Sequence, residues 1–343
     1  MTRRQSRNGN DVDPSGVLSG VLVVDKPSGI TSHDVVSRAR RCLKTRRVGH
    51  LGTLDPLATG VLPLVVGRAT RLASLLAEGD KVYDAAIRLG LVTDTYDVTG
   101  TPTAVESATS PQEVTRAALD VHLAQFLGTR GQRPPAYSAK KIQGVRAYTL
   151  ARQKQVKTLA PVEVTLRSIE VHSMVDGRIS CRIACAPGFY VRSLAHDLGE
   201  SLGCGGCLEA LRREKSGDFG LYHAVTLDAL EQDPTSIAQC LVPLSGLLPR
   251  LPHVVVTERG MQRVRHGNTL GPDDFFVPDP DSAEAVPEIA AGNSVKVLAP
   301  DGDLVAISGR VSEQPQGSAI GETDSLAAGL RQVNLLQPRI VLV

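Results

Sequence analysis

The spacing of apolar residues changes period several times along this chain, and each change marks an element. Val21-Leu-Val-Val24 is a continuous apolar run, the pattern of a buried strand, and Asp-Lys-Pro-Ser-Gly29 ends it. Thr31 or Ser32 then caps a helix whose apolar positions, Val35, Val36, Ala39, Cys42 and Leu43, fall at helical spacing. Residues 61–66 form a second apolar stretch, and residues 81–89 a mixed strand pattern. Ser110-Pro-Gln-Glu113 reads as a capping box with proline at the first helical position, which predicts a helix to about Phe126. Residues 131–141 read as an ordered loop. Val162, Val164 and Leu166, then Ile169 and Val171, predict a strand or a strand pair. Ile179, Cys181, Ile183 and Cys185 alternate onto one face of another strand. Tyr190 and Arg192 are expected to share one face of an extended strand end. Helices are expected near 191–202 and 207–214.

These patterns predict a disordered tail at 1–19, a large domain at 20–249 and a small β-rich domain at 250–343. Pro249 to Pro252 marks the boundary. Beyond it, 257–265 reads as a short helix, and 294–298, 304–311 and 332–342 as strands. The intervening stretches 272–293 and 312–324 read as acidic loops. No internal repeat or heptad run is present.

At 343 residues, with 42% hydrophobic and 22% charged residues, the composition is that of an ordinary globular protein. No apolar run approaches the roughly 20 residues that span a bilayer. The first ten residues are polar and basic, unlike a secretory signal. A soluble, cytoplasmic protein is expected. Aromatics are scarce, with no Trp, five Phe and six Tyr, so a Tyr within a polar motif carries weight. Cys204-Gly-Gly-Cys207 has metal-ligand spacing, with Cys181 and Cys185 nearby. The alternation around Cys181 instead favours buried thiols acting as small hydrophobes, and no metal is expected.

Charge changes the picture more. Between Asp34 and Glu78 there is one carboxylate, Asp55, and eight cations: Arg38, Arg40, Arg41, Lys44, Arg46, Arg47, Arg68 and Arg71. Such a run is either a solvated helix face or a footprint for a polyanion. Residues 251–343 carry seven Lys/Arg and twelve Asp/Glu, so the chain's net +2 conceals −5 there and +7 before it. Any nucleic acid is therefore held mainly by the first 250 residues. Asp55 lies in Gly49-His-Leu-Gly-Thr-Leu-Asp-Pro-Leu-Ala-Thr-Gly60. An aspartate before proline can simply begin a turn. Surrounding cations also favour its ionised form, and an ionised carboxylate can act as a covalent nucleophile. Tyr190 and Arg192, in Gly188-Phe-Tyr-Val-Arg192, could supply a stacking ring and a cation that pairs with a carboxylate.

Read together and in order, the motifs resemble the tRNA pseudouridine synthase B family. They are Gly20-Val-Leu-Val-Val-Asp-Lys-Pro-Ser-Gly29, the Asp55 segment, Lys81-Val-Tyr83, Leu89-Gly-Leu-Val-Thr-Asp-Thr95, Pro134-Pro-Ala-Tyr-Ser-Ala-Lys140, Gly188-Phe-Tyr-Val-Arg192, Leu202-Gly-Cys-Gly-Gly206 and Leu211-Arg-Arg213. The resemblance implies an α+β fold, with a mixed, largely antiparallel sheet flanked by helices and a small C-terminal PUA-like β-rich domain. It implies conversion of the tRNA T-loop uridine to pseudouridine, with the T-arm as partner. It places Asp55 on the catalytic aspartate and Arg192 on its pairing arginine. Tyr83 falls on the ring that stacks on the target base, Tyr190 and Leu211 on pocket residues, and His50 on the histidine pushed into the T-loop. Lys26 and Pro27 match a supporting motif. Arg41, Lys44, Arg46 and Arg47 are candidates for the RNA backbone. The C-terminal part, with its acidic loops, departs from the family's pattern.

Pseudouridine formation breaks the N1–C1′ bond, turns the uracil and joins C5 to C1′. Nothing is oxidised or added, so no cofactor is expected, and a monomer suffices. Three rival readings remain at the level of sequence. One is a noncatalytic RNA-binding protein, which leaves Asp55 and the Tyr190–Arg192 pair unexplained. The second is a pseudouridine synthase acting on another RNA, and the third is a zinc-dependent nucleic-acid enzyme.

Overall fold

The computed structural model describes residues 18–103, 109–137, 141–142, 145–146, 159–234, 236–276, 293–310 and 335–343. Most of the expected tail, most of 272–293 and the whole loop at 312–324 lie outside these residues. By internal packing the chain divides into two units. One comprises 22–66 and 73–241, and the other comprises 242–343 together with residues up to Val21 and Gly67–Leu72.

The first apolar run forms β1 (Gly20–Lys26), followed by α1 (Ser32–Cys42). Thr31 is the cap: its hydroxyl accepts from the Asp34 amide, and the Asp34 carboxylate accepts from the Thr31 amide. Then come β2 (Val48–His50), β3 (Thr59–Val66), the short α2 (Ala73–Ala77), β4 (Lys81–Leu89) and α3 (Arg116–Ala124). The chain continues through β5 (Gly128–Gln132), β6 (Val162–Val175), β7 (Arg178–Cys185), α4 (Val191–Ser201) and β8 (Gly206–Ser216). The sheet order is β1-β3-β8-β4-β7-β6-β5, with the short strand Val225–Thr226 outside β1. Pairing is antiparallel from β8 through β5 and parallel between β3 and β8. The sheet is thus mixed and largely antiparallel. Val35, Val36 and Ala39 of α1, Leu119 and Leu123 of α3, and Leu194 and Leu198 of α4 join Leu22, Leu64, Ile87 and Ile183 of the strands in one buried cluster.

Four expectations need correction. Residues 207–214 are not a helix but lie in β8, at the centre of the sheet. Pairing with β4 shifts register between Leu208 and Ala210 and again between Arg213 and Lys215. These irregularities put Leu208, Leu211, Arg213 and Ser216 inside, so a strand carries three-residue spacings that mimic a helix. Tyr190 and Arg192 do not share an extended strand. The strand β7 ends at Cys185, Gly188 turns the chain at φ +87°, and Tyr190 is the N-cap of α4. The Ser110 box closes only a short helical turn, Pro111–Glu113, and α3 starts afresh at its own cap, Thr115. Residues 162–171, expected as a strand or a strand pair, lie in one strand of 14 residues, the first of those alternatives. The expected loop at 131–141 begins inside β5, and residues 138–140 lie outside the described ones.

In the other unit, β9 (His253–Val255), β10 (Ser294–Leu298), β11 (Leu304–Arg310) and β12 (Leu336–Val341) form a four-stranded sheet in that order. Its helix α5 (Glu258–Arg265) is capped by Thr257. The core includes Val256, Val264, Leu270, Val295 and Val297. Asp274 is buried between Arg259 and Arg263, at 3.4 and 3.2 Å.

Candidate active site

Asp55 sits in the loop between β2 and β3, and that loop is held from both sides. The buried Ser32 hydroxyl accepts from the Leu54 amide at 2.8 Å and donates to the Leu54 carbonyl at 2.9 Å. Beyond Asp55, the Gly29 amide donates to the Pro56 carbonyl at 2.8 Å and Ser28 donates to Leu57 at 3.2 Å. The Lys26 ammonium, fully buried, donates to the carbonyls of Pro27 and Ile30, both at 2.8 Å, and reaches Pro56 at 3.4 Å. Burial lowers the Lys26 pKa to about 8, with nearby Asp55 acting in the opposite direction. The Asp-Lys-Pro-Ser-Gly segment therefore works as a cradle for the aspartate loop.

Arg192, in the first turn of α4, meets Asp55 side-on. Its Nη2 donates to Oδ1 at 3.0 Å, and Nε lies 2.9 Å from Oδ2. The guanidinium is buried, while the Asp55 side chain is 36% exposed, so the acid remains open on its other side. The carbonyls of Thr95 and Tyr137 accept from Arg192 at 2.8 and 2.9 Å. Asp97, also buried, lies 3.6 Å from Nη1. The Gln132 side-chain amide fixes the turn before α4, accepting from the Tyr190 amide at 2.9 Å and donating to the Tyr190 carbonyl at 3.0 Å.

Asp55, Tyr83, Tyr190, Arg192 and Leu211 all line one cavity of about 320 Å³. Lys81 and Arg213 line it as well. Tyr83 and Leu211 are each 8% exposed, and burial raises the Tyr83 pKa, keeping the phenol neutral. Five of the expected site residues are thus brought together by four separate elements.

His50 is not among the lining residues; it is half-buried on β2. The eight cations near Asp55 divide into two sets. Arg38 pairs with Glu231, Arg40 donates to the Val48 carbonyl, and Arg68 and Arg71 donate to the carbonyls of Leu342 and Val341. Arg41, Lys44, Arg46 and Arg47 are exposed, with no described carboxylate within ion-pair distance.

Cys181, Cys185, Cys204 and Cys207 are all buried in the main core or the sheet. Burial pushes the Cys181 and Cys185 thiols up to about 12 and Cys207 to about 11, away from the thiolate a metal requires. His196, Asp197 and Glu200 bring ligand atoms within 4.8 Å of one another. There the His196 ring stacks on Tyr96 at 3.8 Å, and its Nε2 contacts Glu200 at 3.2 Å.

Comparison with known proteins shows the family and the fold. The family profile of the TruB pseudouridylate synthase N-terminal domain matches residues 40–191, and that of the tRNA pseudouridylate synthase B C-terminal domain matches 192–248. A tRNA pseudouridine synthase B from Solibacter usitatus (strain Ellin6076) is 43% identical over 84% of this chain and 95% of its own length. The chain belongs to the TruB family. A second member, from Azoarcus sp. (strain BH72), is 40% identical over 75% of this chain and 85% of its own. Among solved structures, a chain of a Cbf5-Nop10-Gar1 complex superposes with a TM-score of 0.66. It is 24% identical, with coverage of 94% of this chain and 85% of that one. A chain of an H/ACA RNP bound to a substrate RNA containing 2′-deoxyuridine gives the same TM-score at 23% identity. At that identity these two show the fold: a pseudouridine synthase sheet, with a separate β-rich sheet in the C-terminal part.

Sequence reasoning missed Ser32, Asp97, Gln132 and Arg213. Ser32 and Gln132 act through contacts 22 and 58 residues distant in the chain, which no local pattern reveals. For Asp97 a signal existed. The turn of Thr93, Thr95 and Thr99 around one aspartate is dense in hydroxyls, and Thr95 and the Thr99 amide both donate to Asp97 at 3.0 Å.

Proposed function

We propose that this TruB-family chain isomerises the T-loop uridine of tRNA to pseudouridine, with Asp55 driving the glycosidic rearrangement. The observation that carries this reading is the side-on Asp55–Arg192 pair at the wall of a cavity that Tyr83, Tyr190 and Leu211 also line. Arg192 holds the carboxylate in one orientation and leaves its open side toward the cavity. A target base buried in a folded loop must be extruded, at a cost of a few kcal/mol. Arg41, Lys44, Arg46 and Arg47 offer phosphate contacts that offset this cost, and His50, on the strand that follows them, enters the space the base vacates.

Inside, the Tyr83 ring stacks on the uracil, while Leu211 excludes water and Tyr190 borders the base. The base detaches from C1′ at N1, turns and rejoins through C5. A proton leaves C5 and one is gained at N1, so the product is an isomer and no redox cofactor or metal is required. The reading is of a monomer that works in the cytoplasm, where tRNA is processed.

The test is to incubate purified protein with unmodified tRNA transcripts and map pseudouridine chemically, since the product has the mass of uridine. The expected result is one modified position, in the T-loop. Modification elsewhere, or none, contradicts the reading.

A further inference from the structure

Two buried cations at the cavity, Lys81 and Arg213, have no counter-ion within ion-pair distance among the described residues. Lys81 and Tyr83 project to the same side of β4, and Arg213 of β8 is the cross-strand partner of Tyr83. Lys81 is 6% exposed and Arg213 1%, and both line the cavity with Asp55. Lys81 donates to the carbonyl of Ala77 at 2.6 Å and to that of Gly79. Arg213 donates from Nε to Val61 at 2.7 Å and from Nη2 to Gly52 at 3.2 Å. Among the described residues, no carboxylate lies within ion-pair distance of either. Asp55 and Asp97 both face Arg192, and Asp80, whose charge partly offsets the burial of Lys81, pairs with Arg167 at 3.4 Å.

Burying an uncompensated charge is costly, and neutral donors could tie the same carbonyls. The cost is visible: burial, and next the charge of Arg213, lower the Lys81 pKa to about 8. The wall of the cavity thus keeps positive charge that the resting protein does not neutralise.

The proposed reaction supplies the missing negative charge. When the C1′–N1 bond breaks, its electron pair goes to N1, and the detached base is a uracil anion with charge shared between the ring and O2. The base turns, a pair from C5 forms the new bond to C1′, C5 loses its proton and N1 gains one. However C1′ is held meanwhile, the charge exists only while the base is free. Fixed charges that meet such a transient charge in a water-poor site stabilise it without reorganisation.

We propose that Lys81 and Arg213 form an electropositive wall that stabilises the uracil anion while it is detached from the ribose. This rests on the function proposed above. It predicts that charge matters at these positions beyond the carbonyl contacts.

The test is single-turnover kinetics at saturating tRNA with Lys81→Gln and Lys81→Arg, alongside the wild type. Glutamine can still donate to the Ala77 and Gly79 carbonyls but carries no charge. Its rate should fall on the order of a hundredfold, with tRNA affinity unchanged and with much of the rate regained in Lys81→Arg. A purely structural lysine would give the reverse, with Lys81→Gln close to the wild type. A Lys81→Gln rate within about threefold of the wild type, or Lys81→Arg as slow as Lys81→Gln, overturns the proposal; the first corresponds to well under the 1.4 kcal/mol of a tenfold change. Should Lys81→Gln not fold, Arg213→Gln against Arg213→Lys asks the same question. A wild type that makes no pseudouridine refutes the function itself, whereas an active wild type with an equally active Lys81→Gln refutes only the charged wall.

Discussion

Ser32 and Leu54 are joined by two hydrogen bonds, the serine hydroxyl accepting from the leucine amide at 2.8 Å and donating to its carbonyl at 2.9 Å. This ties the first residue of α1 to the residue immediately before Asp55. Both Ser32 and Leu54 are buried, so water cannot replace either bond. The aspartate is thereby placed by a side chain that takes no part in the chemistry.

Ser32→Ala should therefore lower both stability and turnover. Leaving the Leu54 amide buried without a partner costs about 1–3 kcal/mol, read as a lower Tm. Turnover at saturating tRNA should fall more than tRNA affinity, because the loop shifts Asp55 relative to Arg192. Unchanged Tm and turnover would show that the loop is held without Ser32.

Gly60 and Gly29 both have left-handed backbones, with φ at +98° and +86°. A Cβ at Gly60 would run into the backbone of Arg213 on the neighbouring strand, whereas one at Gly29 meets nothing within 4 Å. Gly29→Ala should cost roughly 1–2 kcal/mol, the backbone penalty alone. Gly60→Ala should cost at least about 3 kcal/mol, since the β3–β8 pairing must also open. Equal denaturation midpoints for the two variants would contradict the close approach of these strands.

Neutralising Arg41, Arg46 and Arg47 together should weaken binding to structured RNA and flatten its dependence on salt. Each lost phosphate contact should reduce the log–log slope by somewhat under about one unit. Arg38→Gln should change the slope less, because Arg38 already pairs with Glu231. An identical slope in the triple variant would mean that this face points away from the RNA.

What was legible in the sequence was local. The apolar run of β1, the Thr31 cap and the alternation of β7 depend on neighbours in the chain, and each is found where the pattern put it. Strand β8 was misread because two register irregularities replace its alternation with three-residue spacings. Helix α4 starts where the spacing put it, at Val191, but Arg192 was misplaced: only Tyr190 is extended, at φ −109° and ψ 108°, and Arg192 already lies in the first helical turn. At the site, the ordered motifs brought out Asp55, Tyr83, Tyr190, Arg192 and Leu211, which the fold gathers around one cavity. Two of the supports were invisible for a physical reason. Ser32 and Gln132 each act through a pair of hydrogen bonds to residues distant in the chain, and a lone serine or glutamine leaves no periodic trace.

The most direct test of the account is Asp55→Asn, which keeps the shape of the side chain and removes its charge. Pseudouridine formation on unmodified tRNA and tRNA affinity should be measured on the same preparation. The account predicts no product above background in a single-turnover assay, with affinity within about threefold of the wild type, a change well under 1.4 kcal/mol. Appreciable pseudouridine at the T-loop from Asp55→Asn would contradict it.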